Sequence, residues 1–351
     1  MRIVHVLGTR PNFVKMAPVI AALRDHEGVI VHTGQHYDRA MSEIFFEELG
    51  VPAPDHMLGV GSGSHAEQTA RVLERLEPIL AQEAPDLVLV PGDVNSTLAA
   101  SLCASELGIP VGHVESGLRS FDRTMPEETN RIVADHVSDL CFLHSDEAVE
   151  NLRSEGVADE RMHFVGNTMI DTLVALEDRF RSREAAQAHD VERGSYLLVT
   201  LHRPALVDGP LLASAIDALA AVAREMPVIF PVHPRTRKMM GEAERPGLEL
   251  VDPVGYLDFL SLEADAGAVL TDSGGIQEET TFLGVPCFTL RDNTERPVTI
   301  RAGTNTLLGL DPARIEEIPS LLAGRPNASP ERPPKWDGQA ASRIAAVVAD
   351  W

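Results

Sequence analysis

The chain has 351 residues, 44% of them hydrophobic and 24% charged, which fits two globular domains of about 150–200 residues each. Its 30 Lys and Arg stand against 53 Asp and Glu, a formal charge of −23. That balance argues against nucleic acid or an anionic membrane as a partner, because both need clustered cations. No apolar run approaches the ~20 residues of a membrane span and the N-terminus lacks a secretory layout, so a cytoplasmic protein is expected.

Three lysines (Lys15, Lys238, Lys335) accompany 27 arginines. A site for an anionic ligand must therefore gather its few cations locally, and Arg10 and Lys15, five residues apart, are the first such pair. Cys103, Cys141 and Cys287 lie far apart in apolar contexts, which points to buried reduced thiols and to no metal site.

In chain order, short apolar runs predict strands at 3–7, 29–33, 87–90, 111–114, 140–143 and 163–165, with amphipathic helices such as 66–83 and 96–107 between them. The second half repeats the pattern, with strands at 196–200, 227–230, 248–250, 268–270 and 286–289 and a helix over 210–225. Such alternation implies right-handed βαβ units and parallel sheets covered on both faces. The fold class is thus α/β, with two Rossmann-like doubly wound domains meeting near residues 166–193. A last helix, 338–351, follows a Pro-rich stretch, and the pattern leaves open which domain it packs on.

Ligands of open α/β sheets sit beyond the C-terminal ends of the strands. The run Leu87-Val-Leu-Val-Pro-Gly-Asp93 ends on a carboxylate, and so does Pro110-Val-Gly-His-Val-Glu115. Consecutive parallel strands are commonly neighbours, which would bring Asp93 and Glu115 to one crevice. In Met125-Pro-Glu-Glu-Thr-Asn-Arg131, Pro126 fits the first helical position and Glu127 and Glu128 the first turn. Glu127 and Arg131, four apart, share a face. Asp93 could simply close an Asx-type turn, and the glutamates could simply cap a helix. Convergence of three carboxylate sites on one sheet edge favours acid/base work at a C–H or C–O bond instead.

The opening turn Leu7-Gly-Thr-Arg-Pro-Asn-Phe-Val-Lys15 lacks a dinucleotide fingerprint, and its Arg10 and Lys15 suit phosphate oxygens. In Ala268-Val-Leu-Thr-Asp-Ser-Gly-Gly-Ile-Gln-Glu-Glu279 a strand runs through a Gly-rich turn into a helix. There Ser273, Gly274 and Gly275 would offer amides, a hydroxyl and the positive helix end to a diphosphate. Glu279, one turn on, could accept bonds from ribose hydroxyls. His202 and His233 each end a strand of the same domain, and Arg296 lies on the polar loop Thr294-Glu-Arg-Pro297.

Together these segments resemble the non-hydrolysing UDP-N-acetylglucosamine 2-epimerases. The matching runs are Gly8-Thr-Arg-Pro-Asn with Lys15, Thr33-Gly-Gln-His36, Pro91-Gly-Asp93, His113-Val-Glu-Ser-Gly-Leu-Arg119, Pro126-Glu-Glu-Thr-Asn-Arg131, Val165-Gly-Asn-Thr168, Leu201-His-Arg203, Asp272-Ser-Gly-Gly-Ile-Gln-Glu-Glu279 and Thr294-Glu-Arg-Pro297. The resemblance implies a GT-B-like pair of domains with a ligand cleft between them. Residues 1–168 plus a returning helix 338–351 would form the first domain, and 169–337 the second, UDP-binding one.

The resemblance further implies reversible epimerisation at carbon 2 by anti elimination of UDP and re-addition through 2-acetamidoglucal, without nicotinamide or metal and with no other cofactor. It assigns Asp93, Glu115, Glu127 and His202 to catalysis, and Arg10, Lys15, His36, Arg131, His233, Ser273, Gly274, Gly275, Glu279 and Arg296 to substrate binding. It also implies a homodimer. The chain reads Pro204-Ala-Leu206 after His202-Arg203 where the family commonly has Glu-Asn, and Val298 where a Glu is common. Tyr37-Asp-Arg-Ala-Met-Ser-Glu43 replaces the glutamines of substrate-activated members. Alternatives are a hydrolysing enzyme releasing UDP and N-acetylmannosamine, an epimerase of a related UDP-sugar in a secondary-metabolite pathway, a GT-B glycosyltransferase, and a non-catalytic nucleotide-sugar sensor.

Overall fold

Val-, Ile- and Leu-rich runs bounded by polar turns form two all-parallel sheets in the computed structural model, as expected for strands buried on both faces. The structure describes residues 1–34, 46–203, 206, 209–232, 237, 246–325 and 331–351. Positions 36 and 233 lie outside them.

The first sheet contains β1 (Arg2–Leu7), β2 (Glu27–His32), β3 (His56–Met57), β4 (Leu87–Pro91), β5 (Val111–Ser116), β6 (Leu140–Leu143) and β7 (Met162–Phe164), in the order β3-β2-β1-β4-β5-β6-β7. The second contains β8 (Leu197–Thr200), β9 (Val228–Pro231), β10 (Leu248–Val251), β11 (Ala268–Thr271), β12 (Cys287–Thr289) and β13 (Asn305–Leu307), in the order β10-β9-β8-β11-β12-β13. Winding reverses between β1 and β4 and between β8 and β11, so each sheet has a switch point where successive loops diverge and leave a crevice. The predicted strands lie within two residues of the observed ones. Among the described strands, only the edge strands β3 and β13 went unpredicted; at two and three residues they are too short to show a period.

Helices α1 (Arg10–Ala22), α2 (His65–Glu83), α3 (Asn95–Glu106), α4 (Pro126–Val137), α5 (Asp146–Ser154) and α6 (Thr168–Ala175) connect the first sheet. In α2 the buried positions Gln68, Val72, Leu76 and Leu80 recur every four residues, and the last three form an apolar stripe. Its start is fixed by a capping box: Glu67 N donates to Ser64 Oγ at 3.3 Å, and Ser64 N to the Glu67 carboxylate at 2.9 Å. The stripe packs on Val4, Val6, Val88 and Val90 of β1 and β4 and on Ala99, Ala100 and Ala104 of α3. In the second sheet, α7 (Leu211–Val222), α8 (Tyr256–Asp265) and α9 (Gly274–Leu283) play the corresponding part.

The chain divides into two compact units, Met1–Ala175 with Pro334–Trp351, and Leu176–Pro333. The last helix, α10 (Ala340–Asp350), packs on α1 and α6 of the first unit. Trp336 and Asp171 help to hold it. Trp336 is fully buried and its Nε1 donates to the His144 carbonyl at 3.0 Å. Asp171 of α6 accepts from the Ala340 and Ala341 amides at 3.1 and 2.7 Å, so the N-terminus of α10 is capped by a residue distant in sequence. Among the described residues no helix is long and apolar enough to cross a membrane.

Candidate active site

In the first unit the ends of β4 and β5, paired neighbours, carry Asp93 and Glu115. Glu115 is 6% exposed and adopts a φ of +67°, with the β5–β6 register shifting between Val114 and Ser116. A left-handed glutamate at a bulge costs on the order of 1–3 kcal/mol, and such strain gathers at functional sites. Its carboxylate pairs with the Lys15 ammonium, itself buried in the first turns of α1. Gly92 makes room for that pair: it has a φ of +65°, and a Cβ there would lie 3.2 Å from Lys15 Nζ and 3.3 Å from Glu115 Oε2.

Asp93, one quarter exposed, pairs with the buried Arg131 of α4. Its carbonyl accepts from Asn130 Nδ2 at 2.9 Å, so two consecutive α4 residues fix its backbone and side chain. Glu127 and Glu128, adjacent in sequence, separate in role. Glu128 is buried and accepts from the Ser120 amide at 2.8 Å, the Ser120 hydroxyl at 3.0 Å and the Phe121 amide at 3.1 Å. Glu127 is half-buried and enters no hydrogen bond or ion pair among the described residues. Arg131, on the same helix face as Glu127 by its spacing, pairs with Asp93 and approaches Glu128 to 3.9 Å. Arg10 and Lys15 also part company, since Arg10 is exposed at the start of α1.

In the second unit, Ser273 precedes α9 in an extended conformation and its hydroxyl forms no cap bond, so the first amides of the helix lack that partner. Gly274 lies under the Arg296 guanidinium, which a Cβ would approach to within 2.7 Å of Cζ. Arg296 is buried, with its Nε 2.9 Å from Glu278 Oε1 and its Nη1 3.3 Å from Glu295 Oε2. Sequence reading missed Gln277, which joins these parts. Its Nε2 donates to the Ser273 carbonyl at 3.1 Å, while its Oε1 accepts from Thr294 Oγ1 at 2.6 Å and Asn305 Nδ2 at 3.0 Å.

The neighbouring strand end is tied in by Asp272, whose Oδ2 accepts from the His202 and Arg203 amides at 2.9 and 2.7 Å. Burial pushes this carboxyl up, but the His202 ring, 2.8 Å from Oδ1, and the two amides outweigh it and hold it below its ordinary value. The exposed His202 ring is thus aimed by a buried carboxylate.

Glu279 is buried and accepts from the Tyr256 hydroxyl at 2.9 Å. Burial pushes its carboxyl up to about 8, against the Tyr256 hydrogen bond and with the Glu278 charge adding to the rise. Glu263, also buried, is raised in the same sense by burial and by Glu279. The unfolded chain releases the Glu279 proton near pH 4.5, the folded one near pH 8, so folding retains a proton and stability falls as pH rises across that window. Glu279→Gln removes this loss. Its urea midpoint is expected to match wild type near pH 4.5 and exceed it by pH 8; parallel curves would show that Glu279 is already ionised in the fold.

The comparisons with known proteins converge. The profile of the UDP-N-acetylglucosamine 2-epimerase family matches residues 20–349. A UDP-N-acetylglucosamine 2-epimerase of Methanococcus maripaludis is 45% identical over 88% of both chains. A UDP-2,3-diacetamido-2,3-dideoxy-D-glucuronate 2-epimerase of Pseudomonas aeruginosa is 42% identical over 99% of both. The Methanocaldococcus jannaschii UDP-GlcNAc 2-epimerase, crystallised with UDP-GlcNAc and UDP, superposes with a TM-score of 0.91 at 38% identity over the whole of both chains. The family profile covers nearly the entire sequence and the identity extends through both sheets: the chain belongs to the UDP-N-acetylglucosamine 2-epimerase family.

Proposed function

We propose that the protein interconverts UDP-N-acetylglucosamine and UDP-N-acetylmannosamine. One carboxylate takes the carbon-2 proton as the bond from carbon 1 to the diphosphate breaks, giving UDP and 2-acetamidoglucal. A second group returns a proton to the other face of carbon 2 as the diphosphate re-adds at carbon 1. The observation that carries this reading is the set Asp93, Glu115 and Glu127: the first two end adjacent strands, and the third opens the helix that holds Asp93. A reaction needing proton transfer on opposite faces calls for more than one such group.

Arg131 fixes Asp93, and Lys15 holds Glu115. In the second unit the turn Ser273-Gly274-Gly275 at the start of α9, with Arg296 as its cation, receives the UDP. Glu279 contacts the ribose, and His202 assists at the diphosphate. His36, His233 and a homodimeric, cytoplasmic state complete the reading by family resemblance.

A second sugar has its own support. The P. aeruginosa diacetamido-glucuronate enzyme matches this chain over its full length as well as the UDP-N-acetylglucosamine enzymes do. Proton NMR with each sugar nucleotide tests both readings. A second UDP-sugar at constant total UDP-sugar identifies an epimerase and its substrate. Accumulating UDP with free sugar identifies the hydrolytic alternative, and no change in either sugar nucleotide overturns both readings.

A further inference from the structure

His113 occupies the middle of β5 in an otherwise apolar stretch and is fully buried. A polar ring at such a place needs partners for both nitrogens. Nε2 lies 2.6 Å from the Gly92 carbonyl; a carbonyl only accepts, so Nε2 carries a proton. Nδ1 lies 2.7 Å from Oδ1 of the buried Asp135. That carboxylate also receives the Gly117 amide, at 3.3 Å on Oδ1 and 3.1 Å on Oδ2, and Arg119 Nη1 at 2.7 Å on Oδ2. Burial pushes the Asp135 carboxyl up, but His113 and Arg119 outweigh it and hold it below its ordinary value. A carboxylate so surrounded accepts from Nδ1, and both ring nitrogens donate. Arg119 is in turn held by Glu155 at 2.7 Å on each oxygen, and Arg161 Nη2 donates to the Asp135 carbonyl at 3.1 Å.

Each tether reaches a segment that bears one of the carboxylates. Gly92 precedes Asp93. Gly117, with a φ of +80°, closes the bulge that sets Glu115 at its left-handed φ. Asp135 stands two turns along α4 from Glu127. We propose that His113 is a positioning residue whose two N–H groups refer Asp93, Glu115 and Glu127 to one buried ring, fixing their mutual geometry without touching substrate. This rests on the acid/base reading above. Displacing a catalytic group by about 1 Å can cost about a hundredfold in rate, so a rigid common reference has a kinetic value distinct from fold stability.

The wild-type protein tests the protonation directly. Nitrogen-15 histidine spectra at neutral pH should show one ring with both nitrogens protonated and protected from exchange, and that signal should vanish in variants at 113. A wild-type ring with one bare nitrogen overturns the proposal, whether or not any variant folds. Two substitutions separate the tethers: His113→Asn keeps a donor near the Nδ1 position, and His113→Gln keeps one near Nε2. In folded protein each should lower kcat about ten- to hundredfold, with KM for the sugar nucleotide and the affinity for UDP within threefold. Folded variants with kcat within twofold of wild type, or a loss lying wholly in KM, would show the ring to be only structural. If wild type turns over no UDP-sugar, the functional reading fails, and the spectrum still decides the double tether.

Discussion

Glu115→Gln is expected to lower turnover by about a hundredfold or more while leaving UDP affinity within threefold. General acid or base catalysis by a positioned side chain contributes about 10²–10⁴-fold, and Gln keeps the shape but cannot carry the proton. The neighbourhood complicates a simple loss-of-activity result. Glu115 pairs with Lys15, and both are buried; removing one partner of a buried pair costs about 3–5 kcal/mol because the other charge is left unpaired. The double variant Lys15→Met with Glu115→Gln resolves this. It should regain most of the stability, read as a urea midpoint, and none of the turnover. Recovery of turnover together with stability would mean that Glu115 serves the fold and not the proton.

The second large effect is expected at Gly274. A methyl group there would press on the Arg296 guanidinium, which cannot swing aside freely because it is buried against Glu278 and Glu295. Gly274→Ala should therefore shift Arg296 or the first turn of α9. Overpacking of this kind costs about 1–3 kcal/mol of stability. It should also weaken UDP binding at least about tenfold in calorimetry, because amides and guanidinium are displaced together. Unchanged UDP affinity in the folded variant would show that the turn does not hold the diphosphate.

Much of this was legible in the residues themselves. The switch-point topology follows from the alternation of apolar runs and amphipathic helices, and the pairing of β4 with β5 brings Asp93 and Glu115 to neighbouring strand ends as the strand-end reading expected. What escaped was partner choice. Spacing of four put Glu127 and Arg131 on one face of α4, yet Arg131 reaches across to Asp93, since a long buried guanidinium takes the carboxylate that the tertiary fold offers. Spacing alone likewise grouped Lys15 with Arg10, whereas burial turned Lys15 to Glu115. Glu279 was legible as a ribose ligand and Glu278 only as its neighbour in the motif, yet both are buried, one against Tyr256 and the other against Arg296, partners that lie on other elements. His113 did leave a signal: a lone polar residue inside the apolar run Val111-Gly-His-Val. Its partner Asp135 lies 22 residues away on another element, beyond any periodicity.

Proton exchange at carbon 2 during the proposed elimination and re-addition of UDP is read by incubating the protein with UDP-N-acetylglucosamine in deuterium oxide and following both epimers by mass spectrometry and NMR. One deuterium is expected at carbon 2 of UDP-N-acetylmannosamine and, as the reaction approaches equilibrium, of the recovered UDP-N-acetylglucosamine. Epimer formed with protium retained at carbon 2 would contradict that exchange.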